Sequence, residues 1–161
     1  TVGRLVRGKG MDVIVEACSK LGLPLKVVGT GPEMDNLKVK SVEFLGQVSD
    51  EELVKLYAGA KATILASEDE DFGIVPVESM AAGTPVIASA SGGYLETVID
   101  GETGILYGGS GMVSVESLIR ALRGFKVGKF KAEDCRKQAE KFSKNRFKKE
   151  ILDLVGKNCP H

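Results

Sequence analysis

The sequence has neither a long apolar run nor an excess of charge of one sign. Its 161 residues include 22 basic and 22 acidic side chains, so no overall field would attract nucleic acid. The apolar stretches are far shorter than the ~20 residues that a membrane-spanning helix needs. No basic start followed by an apolar run indicates a signal peptide. These absences predict a globular protein with no membrane span and no nucleic-acid partner.

Cysteine and histidine are scarce. The three cysteines, Cys18, Cys135 and Cys159, are odd in number and form no C-x-x-C pair, so neither a disulfide framework nor a zinc site is indicated. Cys18 falls on the apolar side of a helical pattern and is predicted to lie in the core. The single histidine, His161, is interpreted as part of a tail and not as a catalyst. Cysteine usage therefore predicts a reduced protein of the cytoplasm.

Residue usage is otherwise ordinary for one globular domain, except for glycine. Hydrophobic residues make up 43% and charged residues 27% of the chain, as in folded proteins. There are 20 glycines, and glycine accumulates where the backbone turns tightly or approaches a ligand. All 13 basic residues of the second half lie between Arg120 and Lys157. That segment is interpreted as a solvated helical face, with peripheral contact to an anionic membrane as the alternative.

Short β-rich runs alternate with amphipathic helical patterns along the whole chain. Strands are predicted over 25–28, 42–45, 62–65, 86–88 and 104–107, and residues 1–6 are predicted to end a further strand. Helices are predicted over 9–21, 50–57, 92–98, 113–124, 131–142 and 145–155, with a short one after Pro32. Another helix has Pro76 in its first turn and Gly83 just after its end, and Ser49 with Glu52 predicts a capping box. This alternation predicts a single α/β domain over residues 1–161, a Rossmann-like doubly wound parallel sheet with helices on both faces.

The most informative segment runs from Glu70 to Glu78 and reads Glu-Asp-Phe-Gly-Ile-Val-Pro-Val-Glu. It follows a predicted strand, and ligands of open α/β sheets bind beyond the carboxyl ends of the strands. The amides that begin the Pro76 helix form a natural seat for phosphate. The two carboxylates would repel phosphate but suit sugar hydroxyls. The alternative is that Glu70 is only a solvated loop residue and Glu78 only complements the helix dipole.

Further motifs accompany this segment. It is followed by Met80-Ala81-Ala82-Gly83-Thr84-Pro85-Val86-Ile87-Ala88, and the chain also contains Gly3-Arg4-Leu5-Val6 with Lys9-Gly10, Gly29-Thr30-Gly31-Pro32, Phe44-Leu45-Gly46, and Gly92-Gly93 with Glu96. Together and in this order, the motifs resemble the signature of glycosyltransferase family 4. These are retaining enzymes of the GT-B fold that use nucleotide-sugar donors. The resemblance spans about residues 1–155.

The resemblance implies a role for each position. Arg4 and Lys9 would contact the donor diphosphate, where cations stabilise the charge that builds up as the diphosphate departs. Glu70, which completes the catalytic set, would bind hydroxyls of the transferred sugar. The donor-binding positions are Gly3, Gly29, Gly31, Gly46, Gln47, Val48, Phe72, Gly73, Ile74, Val75 and Glu78. Among them, Glu78 would bind the ribose hydroxyls, residues 46–48 would border the base, and the glycines of 29–31 would keep a loop near the nucleotide or form a plain turn.

Charge around Glu70 departs from the family pattern. Asp71 stands where the family has a small or uncharged residue, so Glu70 lies in a run of four acids. Repulsion within that run could disturb the donor pocket. Asp69-Glu70-Asp71 also reads as D-x-D, a metal-binding motif of the other large glycosyltransferase fold. Because the surrounding residues match the metal-independent family, we expect no metal, and no cofactor beyond the nucleoside diphosphate sugar that is the donor substrate.

The resemblance also implies that the sequence is half of an enzyme. GT-B enzymes have two Rossmann-like domains, and this sequence corresponds to the carboxyl-terminal donor-binding domain, without the amino-terminal acceptor domain. We expect it to bind donor with little or no transfer. The longer enzyme would be a hexosyltransferase, closest to GDP-mannose-dependent mannosyltransferases of polysaccharide or glycolipid synthesis, in the cytoplasm or at the cytoplasmic face of a membrane. The alternatives are a non-catalytic sugar-nucleotide-binding module and an NAD-dependent oxidoreductase, the latter indicated weakly by Gly29-x-Gly31.

The last predicted helix carries an apolar stripe. Phe147, Ile151, Leu154 and Val155 recur at helical spacing. In the GT-B family the final helix crosses back to the first domain, so the stripe would pack partly against that domain and leave an apolar patch here. The alternative is that the stripe packs entirely on its own sheet.

Overall fold

The computed structural model describes residues 1–37, 39, 41–68, 70–109 and 113–158, with side chains as far as residue 156. Cys159 and His161 lie outside the described residues. The strands are β1 (Leu25–Val28), β2 (Val42–Gly46), β3 (Thr63–Leu65), β4 (Val86–Ser89) and β5 (Gly104–Tyr107). The helices are α1 (Met11–Leu21), α2 (Met34–Leu37), α3 (Asp50–Gly59), α4 (Ile74–Ala81), α5 (Tyr94–Thr97), α6 (Val115–Gly124), α7 (Ala132–Glu140) and α8 (Lys144–Asn158).

The described strands pair in parallel, as the βαβ alternation predicts. β1 pairs with β2, and β4 lies between β3 and β5. In that second set Ile87 is flanked by Ile64 and Ile105. Within the described chain the hydrogen bonds therefore form two sets of strands, where the sequence predicts one continuous sheet.

The predicted first strand, 1–6, is not a regular strand. Its pairing is a single parallel bridge between Val2 and Val28. The Gly3 N–H donates to the Val28 carbonyl at 3.0 Å, and the Leu5 N–H donates to the Thr30 carbonyl at 2.9 Å. The segment therefore runs along β1 and past its carboxyl end, which carries the residues that follow Gly3 to the ligand-binding edge expected for this fold.

Alternate residues of β3, β4 and β5 face two different layers of helices. One hydrophobic cluster contains Ile64 and Ile87 together with residues of α1 and α6, including Cys18, which is 1% exposed. The other contains Leu65 and Val86 with residues of α4 and α7. Because successive side chains of a strand point to opposite faces, these clusters lie on opposite faces of the strands. The predicted α/β fold with helices on both faces is confirmed.

The ends of the helices follow local signals. The Ser49 hydroxyl accepts a hydrogen bond from the Glu52 N–H at 3.2 Å, which confirms the cap at the start of α3. The return bond of the predicted capping box, from the Ser49 N–H to the Glu52 carboxylate, is not found within the described chain. A capping box with bonds in both directions is found at α6, between Ser114 and Ser117. α4 ends just before Gly83, whose φ of 89° lies in the left-handed region favoured by glycine. The boundaries of α4 determine where its amino terminus meets the end of β3.

The apolar stripe of α8 is largely exposed. Phe147 is 65% and Ile151 43% exposed, and Leu154 and Val155 are more than half exposed. Leu152, which is not part of the stripe, is 71% exposed. This exposure disagrees with the interpretation that the stripe packs entirely on its own sheet, and it agrees with the apolar patch of the other interpretation. In the described part of the chain, no helix combines the length and apolar character needed to span a bilayer.

Candidate functional site

A cleft of about 420 Å³ lies where β3 ends and α4 begins. Eight of the predicted site residues line it: Gly3, Arg4, Lys9, Glu70, Phe72, Gly73, Ile74 and Val75. The lining is completed by Thr1, Val2, Met11, Leu65, Ala66, Asp71 and Tyr94. The fold thus brings together two segments that are about 60 residues apart in sequence, and it does so at the carboxyl end of a parallel strand.

The start of α4 presents backbone donors to this cleft. Gly73 is its N-cap, with φ 80°, and no side chain caps the helix. Pro76, in the third position, has no N–H, so Ile74 and Val75 supply the amides of the first turn. Within the described chain, no hydrogen-bond acceptor is found for these two N–H groups. Unpaired amides and the positive end of the helix dipole form an anion-binding geometry.

Lys9 and Glu70 form an ion pair in the cleft. The Lys9 Nζ atom lies 2.8 Å from Glu70 Oε2, and both side chains are about one-quarter exposed. Lys9 is held there by its neighbours: the Ser67 hydroxyl donates to the Gly8 carbonyl at 3.3 Å. A Cβ on Gly10 would lie 2.3 Å from the Ala66 carbonyl oxygen. The loop before α1 therefore packs against the end of β3 at a distance that only glycine permits.

Arg4 differs from Lys9 in having no partner within the described chain. Its side chain is exposed and lines the cleft. Leu5, the next residue, is fully buried, so the backbone at Arg4 is anchored although its guanidinium is not. An exposed guanidinium on an anchored backbone can bind a phosphate through two parallel hydrogen bonds.

Tyr94 contributes to the cleft from α5. It is 3% exposed, and its hydroxyl donates to Glu70 Oε2 at 3.5 Å. Burial, followed by the charge of Glu70, raises the pKa of Tyr94 above its ordinary value, so the phenol remains a donor at neutral pH. Lys9 and Tyr94 both donate to Oε2, so Glu70 Oε1 is left to accept hydrogen bonds from a bound molecule.

The backbone of Glu70 is fixed by the two glycines before α5. The Gly93 N–H donates to the Glu70 carbonyl at 2.7 Å. A Cβ on Gly92 would lie 2.3 Å from that same carbonyl oxygen. The glycine pair that the sequence singled out thus allows the Glu70 loop to lie directly on the turn before α5.

Glu78 lies outside the lining of the cleft. It is one helical turn into α4 and exposed, and its Oε2 accepts a hydrogen bond from the Tyr57 hydroxyl at 3.0 Å. Tyr57 is 4% exposed, and burial together with the Glu78 charge raises its pKa above the ordinary value. The carboxylates at the two ends of the Glu70–Glu78 segment therefore each accept a hydrogen bond from a buried tyrosine, Glu70 from Tyr94 and Glu78 from Tyr57.

The other predicted donor-binding residues also lie outside the lining, at and just beyond the carboxyl ends of β1 and β2. The Gly29 N–H donates to the Gly46 carbonyl at 2.7 Å, and Gln47 and Val48 follow Gly46. A Cβ on Gly29 would lie 1.9 Å from the Gly3 carbonyl oxygen, and one on Gly31 2.2 Å from the Leu5 carbonyl oxygen. Gly29 and Gly31 therefore support the segment that carries Arg4.

Sequence reasoning missed the two tyrosines. The sequence places Tyr57 and Tyr94 in predicted helices and predicts no contact for either hydroxyl, although the hydroxyl of a buried tyrosine usually has a hydrogen-bond partner. The burial of the two rings and the contact of each hydroxyl with a carboxylate depend on the fold, so the sequence alone does not predict them. In the described residues, no group of three potential ligands could hold a metal ion; Asp69, the first residue of the D-x-D triplet, is outside the described residues.

Comparison with known proteins gives consistent matches. A family model described as "Glycosyl transferases group 1" matches residues 1–142. An uncharacterised glycosyltransferase of Methanocaldococcus jannaschii is 36% identical over 112 residues, 65% of this chain and 32% of that protein. The glycogen synthase of Mycobacterium tuberculosis is 36% identical over 117 residues, 65% of this chain and 28% of that protein. The chain spans about a third or less of the length of these curated relatives.

A solved structure matches almost the whole chain. The sucrose-phosphate synthase of Thermosynechococcus elongatus superimposes with a TM-score of 0.81 at 28% identity, covering 97% of this chain and 44% of that one. The strands and helices described above therefore recur as a part of a larger glycosyltransferase structure. This likeness agrees with the predicted α/β fold.

Proposed function

Because the chain belongs to the group 1 glycosyl transferases, we propose that it is the donor-binding domain of a longer glycosyltransferase. Its ligand would be a nucleoside diphosphate sugar, seated in the cleft between β3 and α4. The observation that carries this proposal is the convergence of two cations, Arg4 and Lys9, with the uncapped start of α4 and the carboxylate of Glu70. Cations and amides suit a diphosphate, and a carboxylate suits sugar hydroxyls.

In the proposed complex the diphosphate accepts hydrogen bonds from the Ile74 and Val75 amides. The ammonium of Lys9 bridges Glu70 and a phosphate oxygen, and the exposed guanidinium of Arg4 turns onto the diphosphate. Glu70 then directs its unshared oxygen to a hydroxyl of the sugar. The existing Lys9–Glu70 pair supports this scheme because it places the cation and the carboxylate within one hydrogen-bond length of each other before any donor arrives.

For the reaction itself we propose metal-independent transfer with retention, as in glycosyltransferase family 4. The bond between the anomeric carbon and the diphosphate oxygen breaks, and the acceptor oxygen forms its bond on the same face of the sugar. The acceptor proton passes to the departing phosphate oxygen. Arg4, Lys9 and the start of α4 stabilise the negative charge on the leaving group, which is the interaction that grows most in the transition state.

The acceptor would be bound by a separate amino-terminal domain of the longer protein. That protein would act in the cytoplasm or at the cytoplasmic face of a membrane. For the donor we propose GDP-mannose, used to build a polysaccharide or glycan. Hexoses differ by the orientation of single hydroxyls, so this choice rests on overall resemblance, and the panel described next tests it directly.

The alternative is a binding module without catalysis. It would bind the donor with the same affinity, but no sugar would be transferred after the amino-terminal domain is restored.

Calorimetric titration with UDP, GDP, ADP, their hexose conjugates and, as the competing ligand, NAD tests the proposal. We expect one nucleoside diphosphate to bind at the cleft. Lys9→Glu should weaken its binding about 10-fold to 100-fold, because it removes a charged hydrogen bond and adds repulsion. Lys61→Glu is the matched control, since Lys61 is exposed at the opposite, amino end of β3. Equal affinities of both variants and the unaltered chain, or preference for a nicotinamide dinucleotide, would overturn the proposal.

A further inference from the structure

Tyr57 is a buried residue outside the cleft whose one polar atom is directed at Glu78. The residue is 4% exposed, and its hydroxyl donates to Glu78 Oε2 at 3.0 Å. Glu78 itself is exposed. Within the described chain, this is the one hydrogen bond found for its carboxylate. An exposed glutamate on a helix samples several rotamers unless a fixed group selects one, and here the fixed group is a core tyrosine.

Tyr57 is fixed because its backbone is anchored to the turn that ends α4. The Thr84 hydroxyl donates to the Tyr57 carbonyl at 2.6 Å. The Ser79 hydroxyl, adjacent to Glu78 in sequence, lies 3.0 Å from the Thr84 carbonyl and 2.8 Å from the Thr63 hydroxyl oxygen. These buried hydrogen bonds join α3, α4 and β3 into one unit, so the distance between the Tyr57 ring and α4 has little freedom to change.

The position of Glu78 relates this contact to the cleft. Glu78 is four residues after Ile74 and three after Val75, so its side chain lies on the same face of α4 as theirs, about one turn beyond the two free amides. Side chains of a helix point back toward its amino terminus. A sugar ring linked to a phosphate seated on those amides would therefore come within reach of the Glu78 carboxylate.

We propose that Tyr57 is a positioning residue that holds the Glu78 carboxylate in the orientation that accepts ribose hydroxyls. It thereby sets the preference of the site for ribonucleotides. The inference rests on the proposed donor-binding function. Tyr57 donates to Oε2, and Oε1 remains free to accept from the ribose. The raised pKa of Tyr57, caused by burial and by the charge of Glu78, keeps the phenol a donor throughout the pH range of binding assays.

The test compares each nucleoside diphosphate of the panel with its 2′,3′-dideoxy counterpart, which lacks both ribose hydroxyls. The ratio of the two dissociation constants isolates the ribose contact from the diphosphate contacts. We expect the unaltered chain to prefer the ribonucleotide by about 10-fold to 100-fold. Glu78→Ala should abolish this preference. Tyr57→Phe should reduce the preference at least 3-fold while leaving the affinity for the dideoxy compound unchanged.

Two controls separate positioning from a general effect on the fold. Tyr107→Phe also removes a buried hydroxyl, one that donates to the Leu65 carbonyl at 3.1 Å, and it should leave the ratio unchanged. In the Glu78→Ala background, Tyr57→Phe should have no further effect on the ratio, because the group it positions is absent.

The outcomes distinguish the two proposals. A chain that binds no member of the panel contradicts the donor-binding function itself. A chain that binds the diphosphates and retains its full ribose preference in Tyr57→Phe, while losing it in Glu78→Ala, overturns the role of Tyr57 alone. If Tyr57→Phe unfolds the chain, Thr84→Val replaces it, because this variant removes the donor to the Tyr57 carbonyl and keeps both Tyr57 and Glu78. Thr84→Val should reduce the ribose preference while leaving the affinity for the dideoxy compound unchanged, and an unchanged preference would count against positioning.

Discussion

The ammonium of Lys9 lies 2.8 Å from the Oε2 atom of Glu70, a residue 61 positions further along the chain. The pair brings a cation suited to phosphate and a carboxylate suited to a sugar hydroxyl to one point. Glu70 would repel a bare diphosphate and yet bind a sugar attached to it. This opposition gives the site a testable signature that a surface ion pair would lack.

Glu70→Gln should therefore affect two ligands in opposite directions. Removal of the negative charge should leave the affinity for the bare nucleoside diphosphate unchanged or raise it a few-fold, because Lys9 is released and repulsion is lost. Affinity for the diphosphate sugar should fall about 10-fold, since a charged acceptor for a hydroxyl is replaced by a neutral one. Calorimetry with both ligands measures this. Equal losses for the two ligands would contradict a sugar contact.

Gly29→Ala should destabilise the chain by at least about 2 kcal/mol. The added Cβ would lie 1.9 Å from the Gly3 carbonyl oxygen, at a φ of 124° that alanine rarely adopts. Gly59→Ala is the control, because Gly59 ends α3 with ordinary φ and nothing within 4 Å of the added atom. It should be neutral or stabilising by up to about 1 kcal/mol. Urea unfolding measures both. A Gly29→Ala variant as stable as Gly59→Ala would show that the segment is not packed as described.

Residues 25–28 and 104–107 show why much of the fold could be predicted. They form strands within the predicted limits, because buried parallel strands are short apolar runs bounded by glycine or turn residues. The segment 1–6 shows the limit. It has the composition of a strand, but past Gly3 its backbone hydrogen bonds to residues beyond the end of β1. Only the tertiary arrangement decides this.

The candidate site was predictable to the extent that it is local. The segment from Glu70 to Val75 carries its own helix start, and Lys9 could be added only through resemblance to a family. The contacts of Tyr57 and Tyr94 with the two carboxylates join residues 21 and 24 positions apart. No periodicity in the sequence encodes such a contact, because it depends on the packing of α3 and α5 beside α4.

Tyrosine ionisation should coincide with unfolding at alkaline pH. The chain has three tyrosines and no tryptophan, and burial is the leading cause of the raised pKa of Tyr57, Tyr94 and Tyr107. The unfolded chain loses its phenolic protons near pH 10, whereas the native chain keeps them. The contribution of the tyrosines to stability is therefore constant below about pH 10 and is lost as pH rises above it. Tyrosinate absorbance and circular dichroism should change together. Ionisation near pH 10 with unchanged circular dichroism would contradict the burial.

The exposed apolar side chains of α8, in the stripe and beside it, should contribute little to stability. Replacement of both Phe147 and Leu152, which are 65% and 71% exposed, by serine should change the free energy of unfolding by less than about 1 kcal/mol. Leu118 of α6 is 0% exposed and lies in the core against the strands. Leu118→Ala should lower the free energy of unfolding by about 2–5 kcal/mol. Thermal or urea unfolding compares the variants. A large loss from the serine variant would indicate that α8 packs on this domain.

Diffraction from crystals soaked with the tightest-binding nucleoside diphosphate of the panel tests the central claim most directly. The account predicts phosphate density within hydrogen-bonding distance of the Ile74 and Val75 amides, with the side chains of Lys9 and Arg4 on the same phosphates. Density at another place on the molecule, with the cleft open and accessible in the crystal, would contradict it.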